Sequence, residues 1–153
     1  SIEALTNATG KRPVGWLGSE YAETMRTPSI LASMGIQYVC DWPNDEQPYP
    51  MTISSGEMYA LPIHLPLDDV TTTWNRRIPV TQYGQAIRDA FDELYRNGEN
   101  SGRTMILNLH PWITGQPYRS KYVDEALAYI CKHTHVWKTT TGEIIQWYKD
   151  KDK

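Results

Sequence analysis

The feature that most constrains this chain is an alternation of two periodicities. Short, mostly apolar runs of strand length at 36–40, 59–65 and 105–109 take turns with segments whose apolar residues recur at helical spacing. The clearest helix spans 81–97, with Tyr83, Ile87, Ala90, Phe91 and Leu94 on one face and Gly98 closing it. A second runs over 120–132 through Val123, Ala126, Leu127 and Ile130. A third opens at Thr27 as N-cap with Pro28 at its first position, carries Ile30, Leu31 and Met34, and stops at Gly35. Residues 1–9 read as the tail of a helix ending at Gly10, and Ile144, Ile145 and Tyr148 mark a last short helix before a charged, frayed tail at 149–153. Residues 11–16 are a short extended stretch, and 135–137 read as a brief strand. Pro62 weakens the strand at 59–65, and the polar stretches 43–58 and 66–79 read as loops. Strands alternating with helices imply an α/β domain with a parallel sheet and flanking helices, here one domain over 1–153.

Charge and composition narrow the partners. The net charge of −3 and the lack of any Lys/Arg block argue against nucleic acid. No apolar run reaches the roughly 18 residues a membrane helix needs. Cys40 and Cys131 lie in apolar segments of different elements and read as two buried free thiols in a reducing, cytoplasmic setting. The 10 Tyr and 6 Trp against 1 Phe favour rings with a polar handle, which suit ligand clefts and interfaces.

In parallel sheets function gathers where the strands exit. The exits here are the Gly15-Trp16 turn, Asp41-Trp42, His64 and His110. His110 follows an apolar strand and precedes Pro111; its imidazole is suited to proton transfer, with a structural histidine as the competing reading. Asp41 and Asp45 bracket the second exit, where a carboxylate orients a histidine, binds substrate hydroxyls, or merely caps a turn. Arg12 either clamps an anion or pairs with a buried Asp. Trp16, Trp42 and Trp112 either stack on a sugar or flat heterocycle or pack in the core. His133 and His135 have one-sided strand spacing but no third metal ligand nearby; Asp68-Asp69 is either a paired carboxylate or, as its polar loop favours, a solvated turn. A Gly-rich phosphate loop, Gly-x-Ser-x-Gly and Cys-x-x-Cys are all absent.

Three ordered motifs carry a resemblance. They are Thr9-Gly10-x-Arg12-Pro13-x-Gly15-Trp16, then Tyr38-x-x-Asp41-Trp42-x-x-Asp45-x-Gln47-Pro48-Tyr49, then Leu109-His110-Pro111-x-x-x-Gly115-x-Pro117-x-Arg119. With the later Val136-Trp137 and Glu143-Ile144, they resemble the polysaccharide deacetylase family, in its branch of allantoinase-like and peptidoglycan-deacetylase-like proteins. The resemblance implies a distorted (β/α) barrel and hydrolysis of C–N amide bonds. In metal-dependent members a divalent cation polarises the carbonyl and activates water, and a histidine protonates the leaving amine. His110 matches that histidine, Arg12 and Asp41 match residues that tune and orient the site, and Trp42 matches a pocket residue.

The family's opening Asp-Asp strand and later His-x-x-x-His are not found in this sequence. The chain therefore reads as the C-terminal half of the barrel, with no metal or other cofactor expected and no turnover expected from it alone. Half a barrel leaves open strand edges, so a dimer or a missing N-terminal half is the expected partner. The alternative is a non-catalytic module that binds a saccharide or ureide, or that serves assembly.

Overall fold

Prolines and polar exits keep the strands of this protein short. In the computed structural model, which describes residues 1–151, β1 is Gly15–Trp16, β2 Tyr38–Val39, β3 Tyr49–Pro50 and β4 Tyr59–Ala60. Pro13 precedes the first, Pro43 follows the second, and Pro62, which lacks an N–H, stops the ladder of the last. The chain forms two units, residues 1–62 with the segment from Thr139 onward, and residues 63–138.

The first unit holds the sheet, in the order β1-β2-β4-β3. β1, β2 and β4 are parallel, with Trp16 opposite Val39 and Val39 opposite Ala60; α2 makes the crossover between β1 and β2, and the loop carrying β3 makes the one between β2 and β4. β3 pairs antiparallel with β4, Tyr49 opposite Ala60, so one segment read as loop is an edge strand. The ladder extends past the formal strands: Gln37 N–H donates to Val14 O at 2.7 Å, and Cys40 N–H to Trp16 O at 2.9 Å. Helices α1 (Ile2–Thr9) and α2 (Thr27–Ser33) supply Ile2 and Leu31 to a core with Ile36, Val39 and Met58. Gly10 ends α1 at φ 70°, as its position foretells. Thr27 is the first residue of α2 rather than its cap; its hydroxyl accepts the Thr24 N–H at 3.0 Å.

The second unit is built on α3 (Val80–Asn97) and α4 (Pro117–Cys131). Tyr83 and Ile87 pack with Val123 and Ala126, the stripes that the helical spacing singled out. Met105, Leu107 and Leu109 pack against this cluster, but 105–109 is not a regular strand. It is extended chain tied to its neighbour by His64 N–H to Ile106 O (3.0 Å) and the long Asp69 N–H to Asn108 O (3.4 Å). The facing chain cannot continue a ladder because it winds into a 3₁₀ turn at Leu65–Leu67 and a π-helical turn at Val70–Asn75. The stretch 66–79 is thus largely helical turn, and 135–137 forms no strand.

The last helix, α5 (Thr141–Lys151), belongs to the first unit. Thr140 N–H donates to Glu143 Oε2 (3.0 Å) and Glu143 N–H to Thr140 Oγ1 (3.4 Å), a reciprocal capping box that accounts for Glu143. Lys149–Lys151 are helical; Asp152 and Lys153 of the expected frayed tail lie outside the described residues. Among the described residues no helix is long and apolar enough to cross a membrane.

The two cysteines differ, against the expectation that both are buried. Cys40 is buried, and desolvation, with the nearby Asp41 charge adding to it, pushes its thiol up to about 12; Cys131 is exposed. Under native conditions near neutral pH a maleimide should label Cys131 rapidly and Cys40 only after denaturation. A Cys131→Ser variant that still labels rapidly would contradict this.

Candidate active site

The π-helical turn organises the polar centre of the second unit. Asp68 caps it, its Oδ1 accepting the Thr71 N–H at 2.9 Å, while Thr72 Oγ1 and Thr73 Oγ1 donate to the Asp68 and Asp69 carbonyls at 2.9 and 2.7 Å. That winding holds both carboxylates inside the unit: Asp68 is 1% and Asp69 0% exposed. The reading of a solvated turn is therefore overturned, and the signal missed was the cap pattern of Asp68 with Thr71 three residues on.

Asp69 binds the chain around His110 with both oxygens. Oδ1 lies 2.6 Å from His110 Nδ1, and Oδ2 accepts the His110 backbone N–H at 2.8 Å and the Thr114 hydroxyl at 2.7 Å. A carboxylate only accepts, so Nδ1 is the ring nitrogen that donates to Asp69, and Nε2 is the ring nitrogen that Asp69 leaves for chemistry. The His110 side chain is one-third exposed, as a group that meets a substrate must be. The turn that follows is closed by Ile113 and Thr114 N–H groups on the His110 carbonyl, at 2.9 and 3.0 Å. Gly115 is required there, since a Cβ would stand 2.4 Å from the Pro111 carbonyl oxygen. Beneath the pair, Asn108 Nδ2 donates to Asp68 Oδ2 at 2.8 Å and Tyr83 Oη to Leu67 O at 2.8 Å. Burial, with the Asp69 and Asp68 charges adding, pushes the Tyr83 phenol far up, so it stays a neutral donor.

Ligand atoms of Asp68, Asp69 and His110 lie within 4.8 Å of one another, the set among the described residues with metal-ligand spacing. Its chemistry does not fit a cation. The Asp69 and Asp68 oxygens already accept N–H or O–H groups, and His110 Nδ1 sits at hydrogen-bond distance from Asp69 Oδ1. Two ligand atoms 2.6 Å apart are crowded for a shared ion and well placed for a shared proton.

The other residues singled out in the sequence fall as follows. Trp112 is 52% exposed; its ring lies 6.1 Å from that of His110 and 5.2 Å, edge to face, from that of Trp74, which is 57% exposed. His64 belongs to the same unit, its Nδ1 accepting the Ile106 N–H at 3.4 Å. Arg12, Trp16, Asp41, Trp42 and Asp45 belong to the first unit. Arg12 Nη2 donates to the Met34 carbonyl at the end of α2, at 2.6 Å, a helix-capping contact. Trp16 and Trp42 are half-buried against the core of the sheet. Exposed Asp45 accepts the Glu46 N–H at 2.6 Å, as turn aspartates do. Asp41 is buried beside Trp42, with Oδ1 accepting the Gly18 N–H at 2.7 Å. Glu23, for which the sequence carried no signal, joins them through a 2.8 Å bond from the Trp42 indole. His133 is not paired with His135 as a ligand; its ring packs among Phe91, Tyr95 and Tyr129.

These elements define a polysaccharide-deacetylase type of α/β fold, with parallel strands, flanking helices and resemblance over about half of such a domain. The comparisons with particular proteins say the same. No family model matches the chain. A polysaccharide-deacetylase-type protein of Schizosaccharomyces pombe is 35% identical over 65 residues, 42% of this chain and 20% of that protein. A polysaccharide-deacetylase-type structure from Pseudomonas aeruginosa PAO1 matches 97% of this chain and 51% of its own, with a TM-score of 0.85 and 27% identity. The PuuE allantoinase structure matches 95% of this chain and 49% of its own, with a TM-score of 0.82 and 26% identity. A Mycobacterium smegmatis structure of the same type, TM-score 0.83 over 99% of this chain and 54% of its own, shares 24% identity and bears on the fold alone. The chain thus spans about half the length of the solved structures it matches.

Proposed function

We propose that this chain supplies the proton-donating side of an amide C–N hydrolase site, with His110 as general acid and Asp69 as the residue that holds it. The carrying observation is the Asp69–His110 contact of 2.6 Å, made by a fully buried carboxylate to a part-exposed imidazole. In this reading, after a water oxygen has added to the amide carbonyl carbon, the imidazolium gives its Nε2 proton to the departing nitrogen as the C–N bond breaks, leaving a carboxylic acid and an amine. The neutral ring that remains keeps its Nδ1 proton on Asp69. Kinship with proteins named as polysaccharide deacetylases and as an allantoinase supports an amide in a sugar or a ureide as the substrate. The two free thiols are in keeping with a reducing, cytoplasmic setting.

The exposed Trp74–Trp112 pair supports a second reading, in which the same face binds a saccharide or ureide without turnover. Assays on acetylated sugar oligomers and on allantoin, with and without zinc, separate the two when paired with binding measurements. Turnover that needs His110 favours the enzyme; binding that survives without any turnover favours the module.

Part of the same proposal is that the complementary strands come from further polypeptide or from a second copy of this chain. A solution of residues 1–153 alone should then sediment as a dimer at micromolar concentration. A clean monomer would remove the second copy from the proposal.

A further inference from the structure

Two carboxyls meet at the exit of β2. Asp41 is 8% exposed, and its Oδ1 accepts the Gly18 N–H at 2.7 Å. Glu23 Oε2 accepts the Trp42 indole N–H at 2.8 Å. The remaining oxygens, Asp41 Oδ2 and Glu23 Oε1, are buried without a hydrogen-bond partner, and the Asp41 charge acts on the Glu23 carboxyl. Ionised carboxylates are acceptors only and repel one another, so leaving two such oxygens buried without a donor is costly, and one proton held by the pair relieves it.

The segment they hold is under tension. Glu20 and Tyr21 both have φ 56°, adjacent non-glycine residues in the left-handed region. At Gly18 the backbone is pressed against the carboxyl, where a Cβ would stand 2.7 Å from Asp41 Oδ1 and 2.9 Å from the Ala22 carbonyl. Such a loop keeps its shape only while something over-determines it.

We propose that Glu23 and Asp41 hold one proton between them and act as a pH-sensitive latch, fastening the segment from Gly18 to Glu23 and the Trp42 indole to the end of β2. The inference stands on the first unit alone and does not depend on the proposed activity. Burial is the main force raising the proton affinity of both carboxyls, and the Asp41 charge adds to it at Glu23; the Gly18 and Trp42 N–H groups act in the opposite sense. The other titratable groups close by are the Cys40 thiol and the Tyr49 phenol, which donates to the Trp42 carbonyl at 3.0 Å; burial keeps both neutral. Asp45 acts on Tyr49 and is exposed.

The sign of the linkage follows. The folded pair binds its proton more tightly than the unfolded chain, whose carboxyls titrate near about 4. The latch contributes in full below that range and is lost as pH rises through the pair's raised value. Glu23→Gln imitates the latched form at every pH: its oxygen accepts the Trp42 indole N–H, and its amide donates to Asp41.

The test is NMR of the full chain from about pH 4 to about pH 9, following the Glu23 and Asp41 carboxyl carbons and the Trp42 indole N–H. One carboxyl should titrate above the ordinary carboxylate range, and the indole resonance should move with the same midpoint. In Glu23→Gln the indole should stay at its low-pH position throughout. Should that variant not fold, Asp41→Asn, which accepts from Gly18 and donates to Glu23, must abolish the shift in the same way. Two carboxyls that titrate in the ordinary range, or an indole shift unchanged in the variants, would overturn the latch.

Discussion

On the proposed general-acid role, replacing His110 with Asn lowers turnover by about 10²- to 10⁴-fold, the range that a positioned general acid contributes. The Asn side chain ends in an N–H donor close to where Nδ1 stands, so the bond to Asp69 Oδ1 and the 2.8 Å backbone bond to Oδ2 have counterparts in the variant. What disappears is Nε2, the ring atom on the far side from Asp69. Binding through Trp112 and Trp74 does not involve it, so KM should change little while kcat falls. Steady-state kinetics on an acetylated sugar oligomer and on allantoin provide the check, with circular dichroism to establish that the variant is folded. Turnover within a few-fold of the native value would remove His110 from the chemistry. A parallel loss of binding and structure would make it a structural histidine.

Replacing Asp69 with Ala costs about 3–5 kcal/mol of folding stability, the scale for removing one side of a buried charged network. Its two oxygens satisfy His110 N–H, His110 Nδ1 and the Thr114 hydroxyl, and Asp69 itself has no exposure to water. Without them the buried Thr114 hydroxyl loses its acceptor and forfeits its desolvation cost, and the part-buried His110 N–H groups forfeit part of theirs. Against a typical domain stability of about 5–15 kcal/mol, the loss is large. The denaturant midpoint should drop with little change in slope. Exposed Asp45, which accepts the Glu46 N–H at 2.6 Å, is the internal control, and its Ala variant should stay within about 0.5 kcal/mol of native. Equal effects at the two positions would mean that the Asp69 network carries no special weight.

Both predictions centre on a residue pair of which the linear sequence displayed only one half. His110 was legible because it ends an apolar run and is followed by Pro111 and a glycine turn, all local signals. Asp69 was not, because a polar segment rich in Asp and Thr satisfies a solvated loop as well as a capped helical turn. Only the winding of Val70–Asn75 and its contact with the chain before His110 decide between them. The same limit hid β3 and Glu23, and it misjudged Cys131: burial is a property of what lies opposite, and a sequence does not state what lies opposite.

The helices were plain in advance, since Tyr83, Ile87, Val123 and Ala126 repeat at a spacing that dictates both the element and its buried face. So was the parallel pairing of β1 with β2, because α2 lies between them; β2 and β4 are joined by a loop and β3, and their parallel pairing does not follow from an intervening helix. By itself, then, the order of residues determined the helices, their buried faces and the class of fold, for these follow from periodicity and local backbone preference. The partners of Asp69, Asp41 and Glu23 were decided only in three dimensions. Hydrogen bonds between residues some 20 to 40 positions apart depend on how the chain returns, which no local pattern encodes.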